Sequence, residues 1–419
     1  MGLIDEATYD RMRFAQWLAG RAHDPRMSRR ALMRLLASAG VGSILTGATA
    51  RPAAADPPPI VKPTPPDLFY VYGSNAEMRW EAMAGQGYLT PTDRFFVRDH
   101  TSTPSIDADK WRLQLFGTGL HHAPTADNPI EFSYRDLLRL PTESRVAFVE
   151  CTGNGRSFFT TQQGQTVSGT AWKLGAVGVA SWRGVRLSTV LRAAGLRHDA
   201  VDVMPEGLDP DYVVNGVDLG HVRRPLPIDK ALRDVLLAYE MNGRPLPVDH
   251  GFPVRVLVPS WAGISSIKWV GRIEVSTFPL FSAWNTQYYR LFGPTYPAEG
   301  TAVSRQVVKS AFELPWPAQF QTGRTHLLSG RSWSGNGRIG RVEVSTDGGH
   351  TWRRASFVGG SAEAGWQRWR VAWRPTATGS HTLKARATDV IGIRQLDQTP
   401  FNTLGYLFDA VVDHPVTVV

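Results

Sequence analysis

From about residue 306 onward the chain alternates apolar and polar residues with a period of two, and this pattern limits what its second half can become. Thr325-His-Leu-Leu-Ser-Gly, Ile339-Gly-Arg-Val-Glu-Val-Ser, Trp366-Gln-Arg-Trp-Arg-Val-Ala-Trp and His381-Thr-Leu-Lys-Ala-Arg-Ala each offer one strand face to a core and the other to water. Turn signals such as Ser334-Gly-Asn-Gly and Asp347-Gly-Gly separate them. Short strands at this spacing predict an all-β, immunoglobulin-like sandwich over 306–419. Trp366, Trp369 and Trp373 read as core and edge packing of that sandwich rather than as a binding platform.

The preceding stretch, 67–305, has a different texture. Trp111-Arg-Leu-Gln-Leu-Phe-Gly alternates like a strand, and Tyr134-Arg-Asp-Leu-Leu-Arg-Leu has the spacing of a helical turn stopped by Pro141. Val146-Ala-Phe-Val-Glu is a β-rich run that leads straight into Cys151. Leu187 to Leu196 is helical in spacing and stops at Gly195, and Val254-Arg-Val-Leu-Val-Pro259 reads as a buried strand. The region is therefore predicted to be α+β, with loops gathered around a site.

Two segments precede it. In residues 1–55, Ser28-Arg29-Arg30-Ala31-Leu32-Met33 opens an apolar stretch from Leu35 to about Leu45, followed by small residues. That stretch is too short for a stable membrane anchor, and the paired arginines resemble a twin-arginine export signal. Export of an already folded, extracytoplasmic or periplasmic protein is the expectation. Residues 56–66 hold six prolines and read as a stiff, extended linker. No later run approaches the length of a transmembrane helix.

Net charge and cysteine content narrow the chemistry. The formal charge is +9, yet the basic residues form no run suited to a phosphate backbone, so a pocket for a small anion fits better than a nucleic-acid face. One cysteine in 419 residues excludes an intramolecular disulfide framework, Cys-rich zinc or iron–sulfur sites, and a c-type haem. By composition alone such a cysteine is a small buried hydrophobe. Its surroundings, Phe148-Val-Glu-Cys-Thr-Gly-Asn-Gly-Arg156, instead place a soft ligand at a strand end before a glycine turn, presented outward, with Arg156 near enough to help keep it ionised. Three further segments supply cations and hydrogen-bonding groups. Phe95-Phe-Val-Arg-Asp-His100 puts Arg98 and His100 on one side of an extended run. Asp249-His-Gly-Phe-Pro-Val-Arg255 brings an imidazole and a guanidinium, and Ser265-Ser-Ile-Lys-Trp269 adds a lysine beside a tryptophan.

Ala238 to Pro259, Phe95 to His100, the Cys-Thr-Gly-Asn turn and Lys268-Trp-Val-Gly-Arg272 together resemble the sulfite oxidase family of molybdopterin enzymes. Gly330-Arg-Ser-Trp-Ser-Gly and Val342 to Trp352 resemble that family's C-terminal dimerisation domain, so the likeness runs in order over roughly 85–415. The resemblance implies the sulfite oxidase fold for 67–305, a molybdenum–molybdopterin cofactor, and Cys151 as the one protein thiolate on the metal. It implies that Phe96, Val97, Arg98, Asp99, His100, Asp209, His250, Arg255, Ser266, Ile267 and Lys268 hold the pterin and its phosphate. Arg98, Arg156, Trp172 and Tyr289 match the lining of the substrate pocket, where a tyrosine hydroxyl can relay a proton.

The implied activity is oxidation of sulfite to sulfate with water as oxygen donor. A separate electron acceptor of cytochrome type and a homodimer follow from the same likeness. No haem is expected on this chain, which has no attachment motif. Two departures bear on substrate. Gly155 precedes Arg156 where animal and plant relatives carry two arginines. Leu404 in Phe401-Asn-Thr-Leu-Gly405 stands where an arginine is expected, with Arg394 as a candidate substitute. The rival readings are another sulfur oxyanion or a protein-bound sulfane on the same cofactor, a plant-type nitrate reductase without its carrier domains, and a non-enzymatic exported binding protein.

Overall fold

The computed structural model describes residues 60–214 and 216–419. The expected leader at 1–55 and the start of the Pro-rich segment lie outside the described residues. The described end of that segment, 60–66, forms neither helix nor strand and is tied down. The backbone N–H groups of Val61 and Lys62 donate to the Asp249 carboxylate at 3.1 and 2.6 Å, and Lys62 Nζ donates to the carbonyls of Thr92 and Phe95. Pro63, Pro65 and Pro66 remove main-chain donors, and the N–H groups of Val61 and Lys62 are both spent on one buried carboxylate.

Two five-stranded arrangements form the first domain. One has the order Leu226–Pro227, Asp202–Gly207, Val270–Ser276, Arg112–Phe116, Ile130–Ser133. The other runs Arg244–Pro245, Leu236–Met241, Val177–Arg186, Thr142–Glu150, with Arg255–Leu257 paired to Leu236–Met241. Helices are short and locally encoded. Ser133 accepts from the Asp136 N–H while Asp136 reaches back to the Ser133 N–H, a capping box that starts Tyr134–Arg139. Leu140, before Pro141, is pushed into extended geometry and ends it.

Thr142–Glu150 pairs antiparallel with Val177–Arg186 along its whole length, from Thr142 opposite Val185 to Glu150 opposite Val177. Where the pairing ends, Asn154 N–H closes a turn on the Cys151 carbonyl at 2.9 Å. Gly155, at φ +92°, then reverses the chain into the helix Arg156–Thr161. A side chain there would be strained and would meet Phe408.

The second domain is the expected two-sheet sandwich. A four-stranded sheet (Lys309–Phe312, His326–Trp333, Trp366–Trp373, Ser356–Val358) faces a five-stranded one built on Gly379–Asp389 and Ile339–Ser345. Trp366, Trp369 and Trp373 are all buried, as core packing requires.

A buried polar cluster fastens the domains together at the strand end that carries Cys151. Lys309 Nζ donates to Glu150 Oε1 at 2.7 Å and to the Asn154 carbonyl at 2.8 Å. Asn154 Nδ2 and Trp333 Nε1 donate to the same carboxylate, each at 2.9 Å. Gln306 Nε2 donates to the Glu150 carbonyl. Every oxygen of Glu150 is thereby satisfied, which a fully buried carboxylate demands.

Lys309→Met should therefore strand the Glu150 charge and lower unfolding free energy by about 3–5 kcal/mol, read by urea denaturation. Lys309→Met with Glu150→Gln should recover a large part of that loss. His414 gives a pH test. It is buried against Trp316, accepts no solvent, and burial depresses it to about 4. A base depressed on folding contributes stability that is present above its unfolded value and lost as pH falls through the folded one. Between pH 6.5 and 4 the protein should lose up to about 3 kcal/mol more than His414→Gln does. Parallel pH series of melting midpoints check this, and equal slopes would refute it.

Candidate active site

Two cavities meet at Cys151. The first encloses about 720 Å³ with its mouth and is walled by Phe96, Asp209, His250, Arg255, Ser266, Ile267 and Lys268 among others. The second is walled by Gly153, Arg156, Trp172, Leu404 and Tyr406. Arg98, Asp99, His100, Cys151 and Tyr289 line both. The sulfur thus sits at the seam, with a relative exposure of 8%. That corrects the expectation of an outward-facing cysteine: Phe96, Trp172 and Ala176 belong to the buried cluster around it, and the Cys151 N–H is itself bonded to the Ala176 carbonyl.

Every anticipated site residue but one reaches a cavity. Val97 is the exception. In an extended run, neighbours point to opposite faces, so Phe96 and Arg98 face the site while Val97 is fully buried in a core cluster with Phe69, Ala76 and Met78. Arg394 is also placed: it is exposed on the second domain and lines neither cavity, so it does not replace the arginine absent at Leu404.

The first cavity is built to hold an anion. Arg255, at the start of its strand, donates to the His250 and Ser266 carbonyls at 3.1 Å each and lies 5.0 Å over the Trp182 ring. Burial lowers it to about 10, so it stays charged at neutral pH. Lys268 pairs with Asp99 and donates to the Asp249 carbonyl at 2.7 Å. Burial, reinforced by Lys62, Lys268 and Arg255, drives the His250 pKa well down, so its imidazole is neutral. Its Nε2 is buried and has no hydrogen-bond partner among the described residues, and the same holds for Thr152 Oγ1. An unpartnered buried ring nitrogen on a cavity wall is the signature of a missing ligand. Asp209 is raised to about 6 by burial, still below neutral pH, so it remains mostly a carboxylate there and accepts from Thr101 Oγ1 at 3.4 Å. Asp249, quoted in its motif but not assigned a role from sequence, gathers Val61, Lys62 and Thr103. Its partners lie up to 188 positions away, beyond any local pattern.

On the other side of the seam, tautomer and proton direction are fixed by geometry. Trp284 Nε1 can only donate, and it donates to His100 Nε2 at 3.3 Å. That nitrogen therefore carries a lone pair. Tyr289 Oη, 3.1 Å from the same atom, must donate to it as well. Burial and then the Arg98 and Lys268 charges hold the His100 pKa well below its usual value, so it rests as a neutral proton acceptor. Arg156 is anchored by Nε to the Leu404 carbonyl and by Nη1 to the Thr170 carbonyl, both at 2.8 Å. Gly153 is needed beside it, since a Cβ there would come 2.5 Å from the guanidinium.

The residues suit a pterin-borne metal. Among the described residues no three His, Cys, Asp or Glu side chains converge on one point, so a metal on Cys151 takes its other ligands from a bound cofactor. The cationic, partly unsatisfied first cavity fits the phosphate and heterocycle of that cofactor.

Comparison with known proteins agrees. Residues 100–284 match the oxidoreductase molybdopterin binding domain, and residues 303–407 match the Mo-co oxidoreductase dimerisation domain. Mitochondrial sulfite oxidase of Rattus norvegicus is 38% identical over 72% of this chain and 54% of its own length. The human protein is 37% identical over 71% and 54%. A nitrate reductase of Ulva prolifera is 30% identical over 71% of this chain and 36% of its own. The chain spans about half the length of these sulfite oxidases. Among solved structures, the sulfane dehydrogenase SoxCD from Paracoccus pantotrophus superposes with TM-score 0.69 at 26% identity, covering 89% of this chain and 96% of that one. The chain belongs to the sulfite oxidase family of molybdopterin-dependent oxidoreductases.

Proposed function

We propose that this oxidoreductase converts sulfite to sulfate, with water supplying the oxygen and two electrons leaving singly to a separate carrier of cytochrome type. The observation that carries the reading is the second cavity. Two guanidinium groups, Arg98 and Arg156, stand with Tyr289 and a neutral His100 around the one cysteine sulfur. The likeness to sulfite oxidases of rat and human supports it.

Cys151 would hold the molybdenum, while Arg255, Lys268, Ser266 and His250 would hold the pterin and its phosphate. When bound, the cofactor supplies the two-electron redox chemistry. The rest falls to the chain. Arg98 and Arg156 bind the anion and are charged throughout the working pH range. Two protons are released with each water consumed, and the Tyr289 hydroxyl, oriented by its hydrogen bond to the His100 Nε2 lone pair, is placed to relay one of them out of the site. Trp172, buried at the cavity wall, helps exclude bulk water.

A second reading, a sulfane or bulkier sulfur substrate, is favoured by one feature. The second domain contributes Leu404 and Tyr406 to the cavity in place of an arginine, leaving less positive charge for a free dianion. The superposition on a sulfane dehydrogenase is consistent with it. Export by the twin-arginine route is supported by Arg29-Arg30 before its apolar stretch, and homodimer formation by the dimerisation-domain match. Among the described residues no helix is long and apolar enough to cross a membrane.

Molybdenum-loaded protein should reduce ferricyanide in the presence of sulfite. Negligible turnover at full metal content would sink the sulfite reading in favour of the sulfane one. Cys151→Ser should leave the circular-dichroism spectrum and melting midpoint nearly unchanged while turnover disappears. Arg98→Met should lower kcat/KM for sulfite by about 10- to 100-fold, since a charged hydrogen bond to an anion is worth about 1.5–3 kcal/mol. Unaltered steady-state constants would exclude Arg98 from the anion site.

A further inference from the structure

The second domain reaches back into the catalytic cavity through the loop 402–407. Asn402, itself buried, accepts from the Tyr406 N–H at 2.8 Å and donates to the Tyr406 carbonyl at 2.9 Å, so one side chain closes the loop on itself. The Leu407 N–H donates to the Thr152 carbonyl at 2.9 Å, one residue past Cys151. The loop's position is thereby fixed at both ends, and its product is the placement of the Tyr406 ring.

That ring lies between two residues of the substrate cavity. It stacks on Tyr289 at a centroid distance of 5.1 Å and an interplanar angle of 8°. Its other neighbour is the Arg156 guanidinium, 5.3 Å from the ring centroid. Tyr289 needs such support. Its φ is +56°, a left-handed conformation that a residue with a bulky side chain adopts only when its surroundings hold it. Tyr406 thus touches Tyr289 through the face of its ring.

We infer that Tyr406 is a positioning residue: an aromatic shelf from the second domain that holds the strained Tyr289 with its hydroxyl on His100 and sets the orientation of Arg156. It acts through Tyr289 and has no proton-transfer role of its own. The inference rests on Tyr289 being the proton-relaying group of the proposed reaction.

The test is a double-mutant cycle on the molybdenum-loaded holoenzyme, with sulfite and ferricyanide. Tyr406→Leu should lower kcat about tenfold, change KM for sulfite by less than threefold, and move the pH profile of kcat. In a Tyr289→Phe background, where no hydroxyl remains to be positioned, the same substitution should change kcat by less than twofold. Tyr406→Phe keeps the ring and should stay within about threefold of the parent. Equal effects of Tyr406→Leu in both backgrounds would overturn the inference, and so would a tenfold loss in Tyr406→Phe. A crystal structure of Tyr406→Leu adds a readout independent of turnover. Tyr289 should leave hydrogen-bonding distance of His100 Nε2, and a contact still at 3.1 Å would refute positioning by the ring. If the parent holoenzyme does not oxidise sulfite, the substrate reading alone fails, and this structure still decides the role of Tyr406.

Discussion

The buried pair of Lys309 and Glu150 is the contact on which the site depends. Glu150 is the last residue of the long strand that delivers Cys151, and Lys309 opens the first strand of the sandwich. A buried ion pair is weak support for stability in itself, because desolvation offsets most of the attraction. Its value lies in specificity. With Asn154, Trp333 and Gln306 completing the hydrogen bonds, one register of the second domain against the catalytic strand satisfies every group. The sulfur, one residue further on, inherits that precision.

The same dependence explains what could and could not be read from the chain. The sandwich, the helix at Tyr134 and the strand into Cys151 were legible because their signals are local: period two, helical spacing, a proline stop. The cationic segments were legible through their motifs, since Arg98, His250, Arg255 and Lys268 all reach a cavity wall. Val97 was misassigned because a run quoted as a block ignores the alternation that sends every second side chain into the core. Cys151 looked exposed because its cover, Phe96, Trp172 and Ala176 among others, is assembled from separate segments of the first domain. Tyr406 carried no signal at all, being one tyrosine in a loop whose closure on Asn402 has meaning only in the folded chain.

The arginines of the site share a mode of anchoring. Arg255 is held by the carbonyls of His250 and Ser266, Arg156 by those of Leu404 and Thr170, and Arg98 by that of Asp99. A carbonyl fixes the direction of a guanidinium without neutralising it, whereas a carboxylate does both. Lys268, paired with Asp99, shows the alternative within the same cavity. Three cations directed by dipoles, Arg156 and Arg255 among them buried, leave positive potential on both sides of Cys151, and burying such charge is unfavourable until an anion arrives. The two cavities therefore present two anion sites joined at one soft ligand. One carries the cations suited to an anionic cofactor, and the other adds Arg156 beside the phenol and neutral imidazole that line both. Histidines kept neutral by burial and then by neighbouring cations complete the arrangement, because a His100 without a proton on Nε2 leaves that lone pair free to accept the Tyr289 hydrogen bond.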